Sequence, residues 1–119
     1  MSPRREPCRP ISRPSVRGDV HELPSPRGAR GHEQTGRRFC VVLQSDDLPL
    51  STVLVAPTST SARPTSFRPT VDVLGSETLV LVEQTTAVDP SRLGQWRGRL
   101  SHRELIDVQD ALRLVLALD

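Results

Sequence analysis

Apolar residues along this chain fall into short clusters separated by long polar stretches, a pattern of strands rather than helices until the last segment. Gly18-Asp19-Val20-His21-Glu22-Leu23 alternates weakly and reads as a short strand, followed by a loop from Pro24 to Arg37 rich in Pro, Gly and Arg. Phe39-Cys40-Val41-Val42-Leu43-Gln44 and Thr52-Val53-Leu54-Val55-Ala56 are nearly continuous apolar runs. Their shortness and β-branched content predict buried strands at the centre of a sheet. A second loop is expected from Ser59 to Pro69, then strands near Thr70–Leu74, Thr78–Val82 and Gly94–Leu100. The final segment changes period. Ser101-His102-Arg103-Glu104 is a capping box that satisfies the orphan N–H groups of a helix start. Leu105, Val108, Leu112 and Val115 then recur at helical spacing, which predicts one apolar stripe against the sheet with Asp107, Asp110 and Arg113 facing away. The class is β-rich α+β with a C-terminal helix.

Composition sharpens this picture at the amino end. Met1 to Val16 carries Pro3, Pro7, Pro10 and Pro14 among Arg and Ser, with too little apolar surface to offset ordering entropy, so residues 1–16 read as a disordered Arg/Pro-rich tail and 17–119 as the one domain. The net charge of +2 averages unlike parts: residues 1–38 hold nine arginines against four acids, and the remainder seven against ten. All 16 basic residues are Arg and none is Lys. The guanidinium fork suits phosphate, so an anionic partner is expected. Cys8 and Cys40 make neither a disulfide framework nor a metal site. There is no Gly-rich phosphate loop, paired-Cys motif or HExxH pattern, so neither nucleotide hydrolysis nor zinc chemistry has support, and no cofactor is expected. Without an apolar run of roughly 18–20 residues or a signal peptide, the expected location is cytoplasmic, with no membrane partner.

The order of short motifs carries more than any one of them. Arg17-Gly18-Asp19-Val20 is followed by Gly31-His32-Glu33-Gln34-Thr35-Gly36-Arg37-Arg38 leading into an apolar strand. Val55-Ala56-Pro57-Thr58-Ser59 comes next, then Leu81-Val82-Glu83-Gln84 with Val88-Asp89 and Arg92-Leu93, and Gly98-Arg99-Leu100-Ser101 before the helix. From Arg17 to Leu118 the chain resembles the MazF/PemK family of toxins. That resemblance implies a compact, twisted antiparallel β-barrel of the SH3-like, MazF/CcdB type. It also implies a homodimer that cuts single-stranded RNA without a metal, as the toxin half of a type II toxin–antitoxin pair whose MazE-like antitoxin threads an acidic segment along the RNA groove. The family's catalytic Arg falls on Arg38 and its catalytic Thr on Thr58, while Glu33 and Gln34 match loop residues that shape the site. The chain departs from the family where Phe39 replaces the usual Pro and His21 the usual aromatic residue.

RNA chemistry asks for the same residue types. A 2′-hydroxyl attacking the adjacent phosphate needs a proton acceptor, stabilisation of the phosphorane-like oxygens and protonation of the leaving 5′-oxygen. Arg38 fits charge stabilisation, because its guanidinium stays protonated and reaches two phosphate oxygens at once. Thr58 adds a hydrogen bond. An Arg is not neutral at pH 7, so Glu33 is the alternative for the base. Arg27, Arg30, Arg37 and Ser59 complete the expected RNA contacts. His32 beside Glu33 reads as a loop residue without a special task, and Trp96, the only Trp, as a core or dimer-interface residue. Two further functions stay open: a non-catalytic member that binds RNA or antitoxin, and a gyrase-directed toxin of the same fold.

Overall fold

The computed structural model describes residues 16–24, 38–48 and 50–118. Among the described residues seven strands run in the order β1 (Asp19–Glu22), β2 (Phe39–Val42), β3 (Val53–Ser59), β4 (Thr70–Val73), β5 (Ser76–Val80), β6 (Thr86–Val88) and β7 (Trp96–Arg99), and helix α1 (His102–Leu116) follows them. The spatial order β4-β5-β3-β2-β1-β7 places the two apolar runs in the middle, and every strand pair among the described residues is antiparallel. β6 branches off by pairing with the first half of β3. The result is a curled half-barrel with one helix, as the resemblance implied.

The curl begins at β3. Val53–Val55 pair with β6, whereas Thr58 and Ser59 pair with β5, so one strand serves two ladders along the same edge. Pro57 sits at the switch, where its missing N–H is tolerated, and its carbonyl accepts from the Leu81 amide at 2.9 Å. The β4–β5 hairpin closes through Leu74 and Gly75, at φ 54° and 86°. Two left-handed residues in succession give the turn whose twist matches the flanking strands. At Leu74 the strain is offset locally, since Asp72 Oδ1 accepts from the Gly75 amide at 2.8 Å.

Each face of the central strands is buried. On one side Val20, Val41, Ala56, Val71, Val73, Val80, Val82 and Leu100 pack with Val108 and Ala111 of α1. On the other, Cys40, Val42 and Val55 pack with Leu23, Val53, Val88 and Leu93. This two-sided burial is why β2 and β3 read as continuous apolar runs rather than alternating ones.

Helix α1 starts as its capping box requires. Ser101 Oγ accepts from the Glu104 amide at 3.1 Å, and Glu104 Oε1 accepts from the Ser101 amide at 2.9 Å. Glu104 Oε2 also accepts from the Asp72 amide at 2.9 Å, so the cap fastens the helix to β4. The expected stripe needs correction at its end: Val108 is fully buried and Leu105 and Leu112 pack against the core, but Val115 is 36% exposed and Ala111 is buried instead. Leu114 and Leu116 in the last turn of α1 are exposed as well. Trp96 is 55% exposed on β7, which overturns the core reading. β6 and the 3₁₀ turns at Val82–Gln84 and Pro90–Arg92 are additions to the expected elements. β3 runs on to Ser59, past its expected end at Ala56.

Candidate RNA-cleaving cleft

The curl opens a cleft of about 480 Å³ between the ends of β2, β3 and β5. Arg38 enters from the residue before β2, where its carbonyl accepts from the Leu23 amide at 2.8 Å and so fixes the backbone against the end of β1. Thr58 and Ser59 enter from the end of β3. In the β2–β3 register Cys40 faces Pro57, and continuing it puts Phe39 opposite Thr58 and Arg38 opposite Ser59. Three of the residues expected from sequence therefore meet because one antiparallel pairing carries them to one sheet end.

The floor is apolar and the walls are rich in hydroxyls. Phe39, Val73 and Leu81 supply apolar contact, while Thr60, Ser61, Ser76, Thr78 and Gln84 supply donors and acceptors around it. No Asp, Glu or Lys lines the cleft among the described residues, so Arg38 is its one charge. Such a lining favours an anion beside a flat apolar group with polar edges. Thr58 is 6% exposed, and its hydroxyl donates to the Phe39 carbonyl across a long 3.3 Å. A bond that long is easily exchanged for a stronger acceptor. Ser59 Oγ accepts from the Ser61 amide at 3.2 Å, folding the chain back at the strand end so that both hydroxyls stay on the cleft wall.

Glu33, Gln34, Arg37, Arg30 and Arg27 lie outside the described residues, as do His32 and Cys8. Among the described residues no three His, Cys, Asp or Glu side chains gather where they could hold a metal ion, and no helix is long and apolar enough to cross a membrane. Cys40 is buried as a free thiol; burial, partly offset by a hydrogen bond with the His21 backbone, pushes its pKa from 9.0 to about 11. The sequence reading did not single out Thr60, Ser61, Ser76, Thr78 or Gln84 as site residues. The run Thr58-Ser59-Thr60-Ser61 and the Leu81–Gln84 motif were the available signals.

Residues 16–116 match the model of the family described as PemK-like, MazF-like toxin of type II toxin–antitoxin system. A curated Mycobacterium tuberculosis protein named as a candidate toxin is 45% identical over 73 residues, covering 61% of this chain and 69% of its own. Among solved structures, an endoribonuclease from a mycobacterial species in complex with its cognate antitoxin superposes with a TM-score of 0.70 at 15% identity, over 89% of this chain and 98% of that one. A Mycobacterium tuberculosis MazF toxin gives 0.67 at 20% identity, over 85% and 98%. MazF from Deinococcus radiodurans gives 0.68 at 24% identity, over 87% and 96%.

Proposed function

Because the chain belongs to the PemK/MazF-like family of toxins of type II toxin–antitoxin systems, we propose that it is a sequence-specific endoribonuclease that cuts single-stranded RNA, messenger RNA included, to arrest growth. The observation that carries this reading is the meeting of Arg38, Thr58 and Ser59 on one cleft whose floor is apolar and whose walls bear hydroxyls.

RNA brings its own nucleophile, so the protein has little covalent work to do. The 2′-hydroxyl oxygen bonds to the adjacent phosphorus as the bond to the 5′-oxygen breaks, leaving a 2′,3′-cyclic phosphate on one fragment and a 5′-hydroxyl on the other. Charge grows on the non-bridging oxygens in the transition state. Arg38 pairs with those oxygens there, and Thr58 donates a hydrogen bond to one of them in place of its long bond to the Phe39 carbonyl. Ser59 and the neighbouring hydroxyls hold the flanking nucleotides, and a base lies on the floor made by Phe39, Val73 and Leu81. In this reading Glu33 takes the proton of the 2′-hydroxyl and the leaving 5′-oxygen takes one from solvent, while Gln34, Arg27, Arg30 and Arg37 contact the strand. The reaction consumes no cofactor.

The proposed partners follow from the same family and from the surface. Leu114, Leu116, Leu118 and Trp96 are 55–59% exposed, apolar area that supports a homodimer. A MazE-like antitoxin is the proposed inhibitor, and the cytoplasm the proposed site of action.

Purified protein and an Arg38→Ala variant, each incubated with a long single-stranded RNA in chelator, test the reading. Discrete cuts with cyclic-phosphate ends are expected from the parent, with a loss of about 10²–10³ in rate from the folded variant, the usual effect of removing one well-aimed donor. Near-parental cutting by Arg38→Ala would remove that residue's assignment. No cutting by folded parent protein would favour the binding-only or gyrase-directed alternatives.

A further inference from the structure

Two segments that both line the cleft are tied together by an ion pair that does not itself border it. Arg68, at the end of the β3–β4 connection, donates to Glu83 Oε2 through both Nε at 3.0 Å and Nη2 at 2.6 Å. Its remaining arm, Nη1, donates to the Arg63 carbonyl at 2.9 Å. The guanidinium also lies over the Phe67 ring, 5.6 Å from its centroid. Only 20% of the Arg68 side chain and 25% of the Glu83 side chain reach solvent. One planar group thus joins two segments distant in sequence, and its fork geometry fixes their separation and angle in a way a point charge could not.

The lever arms are short. Glu83 precedes Gln84, and Arg63 follows Ser61 with only Ala62 between; Gln84 and Ser61 both line the cleft. The turn at Val82–Gln84 is rigid on its own account, since the Leu81 amide donates to Pro57, the Gln84 amide to Leu81, and the Thr85 hydroxyl to the Val82 carbonyl at 2.7 Å. Apart from the Arg68 contact, residues 60–66 carry only short-range bonds among the described residues: the Ser61 amide donates to Ser59 Oγ at 3.2 Å, the Phe67 amide to Thr65 Oγ1 at 3.3 Å and the Arg68 amide to the Thr65 carbonyl at 3.2 Å. They are polar, largely exposed, and held at their far end by Phe67, which packs against the core. A segment with few buried apolar contacts opens at low free-energy cost unless something else restrains it.

We propose that Arg68 and Glu83 are positioning residues that latch the hydroxyl wall at 59–63 to the Val82–Gln84 turn and so set the width of the cleft for one register of a single-stranded RNA. This proposal rests on the endoribonuclease reading. The latch touches no reacting atom. It acts by holding Thr60 and Ser61 at a fixed distance from Gln84, so its loss costs RNA binding and choice of cut site more than the chemical step.

The test uses the full chain, a short single-stranded RNA bearing the mapped cut site, and hydrogen exchange on the free protein. Arg68→Ala should raise KM about tenfold and leave kcat within about threefold, because uniform binding is lost rather than transition-state stabilisation. It should also broaden the set of cut sequences. Glu83→Gln, which keeps the shape of the side chain, should fall between parent and Arg68→Ala. The charge-exchanged double variant Arg68→Glu with Glu83→Arg should recover at least half of the lost affinity, a coupling that two independent structural residues do not give. In Arg68→Ala, amides at 60–63 should exchange about tenfold faster while those of α1 keep their protection. Unchanged KM and cut sites in Arg68→Ala and Glu83→Gln, or no recovery in the exchanged pair, would overturn the latch. Should the parent cut no RNA, the nuclease reading fails instead, and the exchange arm still decides the latch: unaltered protection at 60–63 refutes it.

Discussion

Thr58 is where packing and chemistry can be pulled apart by substitution. The residue is 94% buried at the end of β3, and its hydroxyl donates to the Phe39 carbonyl at 3.3 Å. Thr58→Ala removes one buried methyl group, worth about 0.8 kcal/mol, and a weak hydrogen bond worth at most about 1 kcal/mol, for a cost of about 1.5 kcal/mol. Thr58→Val keeps the volume and loses only the hydroxyl, at a cost of about 0.5–1 kcal/mol. Thr58→Ser does the reverse and costs about 1 kcal/mol. If the hydroxyl serves a phosphate oxygen in the transition state, turnover follows a different order: Thr58→Ser stays within about tenfold of the parent, while Val and Ala both fall about 10²-fold. Urea unfolding and initial cleavage rates on one RNA, measured for all three variants, read the two orders independently. Rates that rank with stability, or a Thr58→Val protein that turns over like the parent, would refute the hydroxyl's part in the reaction.

Two further outcomes follow from residues away from the cleft. Cys40 keeps its proton to about pH 11 in the fold against 9.0 in the unfolded chain, so its contribution is complete below pH 9 and is lost as pH rises through 11, amounting to about 3 kcal/mol. In a Cys8→Ser background, the urea midpoint should fall over that window and the fall should vanish in Cys40→Ala; an equal slope in both proteins refutes the assignment. Ser101→Ala removes the acceptor for the Glu104 amide at 3.1 Å and should cost about 1 kcal/mol in thermal or urea unfolding, with Ser101→Asp restoring it. An unchanged midpoint in Ser101→Ala would mean the helix start is held from β4 through Glu104 alone.

What could be read in advance was whatever local chemistry settles by itself. The runs at 39–44 and 52–56 announced two-sided burial, and Ser101 to Glu104 announced a helix start, because both patterns have one stable solution. Thr86–Val88 carries no such signal: it is short, largely exposed, and a strand only because Val53–Val55 offer it an edge. Periodicity placed Val115 on the stripe but could not say where the sheet would stop supporting it. The site divides in the same way. Arg38, Thr58 and Ser59 were legible from motif order, whereas Ser76 and Thr78 join them only through the pairing of Thr58 with Val80, which no local pattern specifies.

The two departures from the family pattern are explained by that same geometry. Phe39, where the family usually has Pro, lies opposite Glu22 in the β1–β2 ladder, supplies part of the cleft floor and packs against the core beneath it. An aromatic ring there offers a flat apolar surface beside the Arg38 guanidinium, and the Phe39 carbonyl accepts from the Thr58 hydroxyl. His21, in place of an aromatic residue, spends its polar atom on the backbone. The Gly94 carbonyl can only accept, so Nδ1 carries the proton and donates across 3.0 Å. Gly94 approaches so closely that an added Cβ would lie 3.0 Å from the Glu22 carbonyl oxygen, and the Gly94 amide donates to that oxygen at 2.7 Å. His21 and Glu22 together therefore clamp the segment that leads into β7. The cost is Nε2, buried with no hydrogen-bond partner among the described residues, a penalty that a wholly apolar ring at this position does not carry. Neither substitution removes a group the proposed reaction needs: one adds to the cleft floor and the other secures the edge of the sheet that carries it.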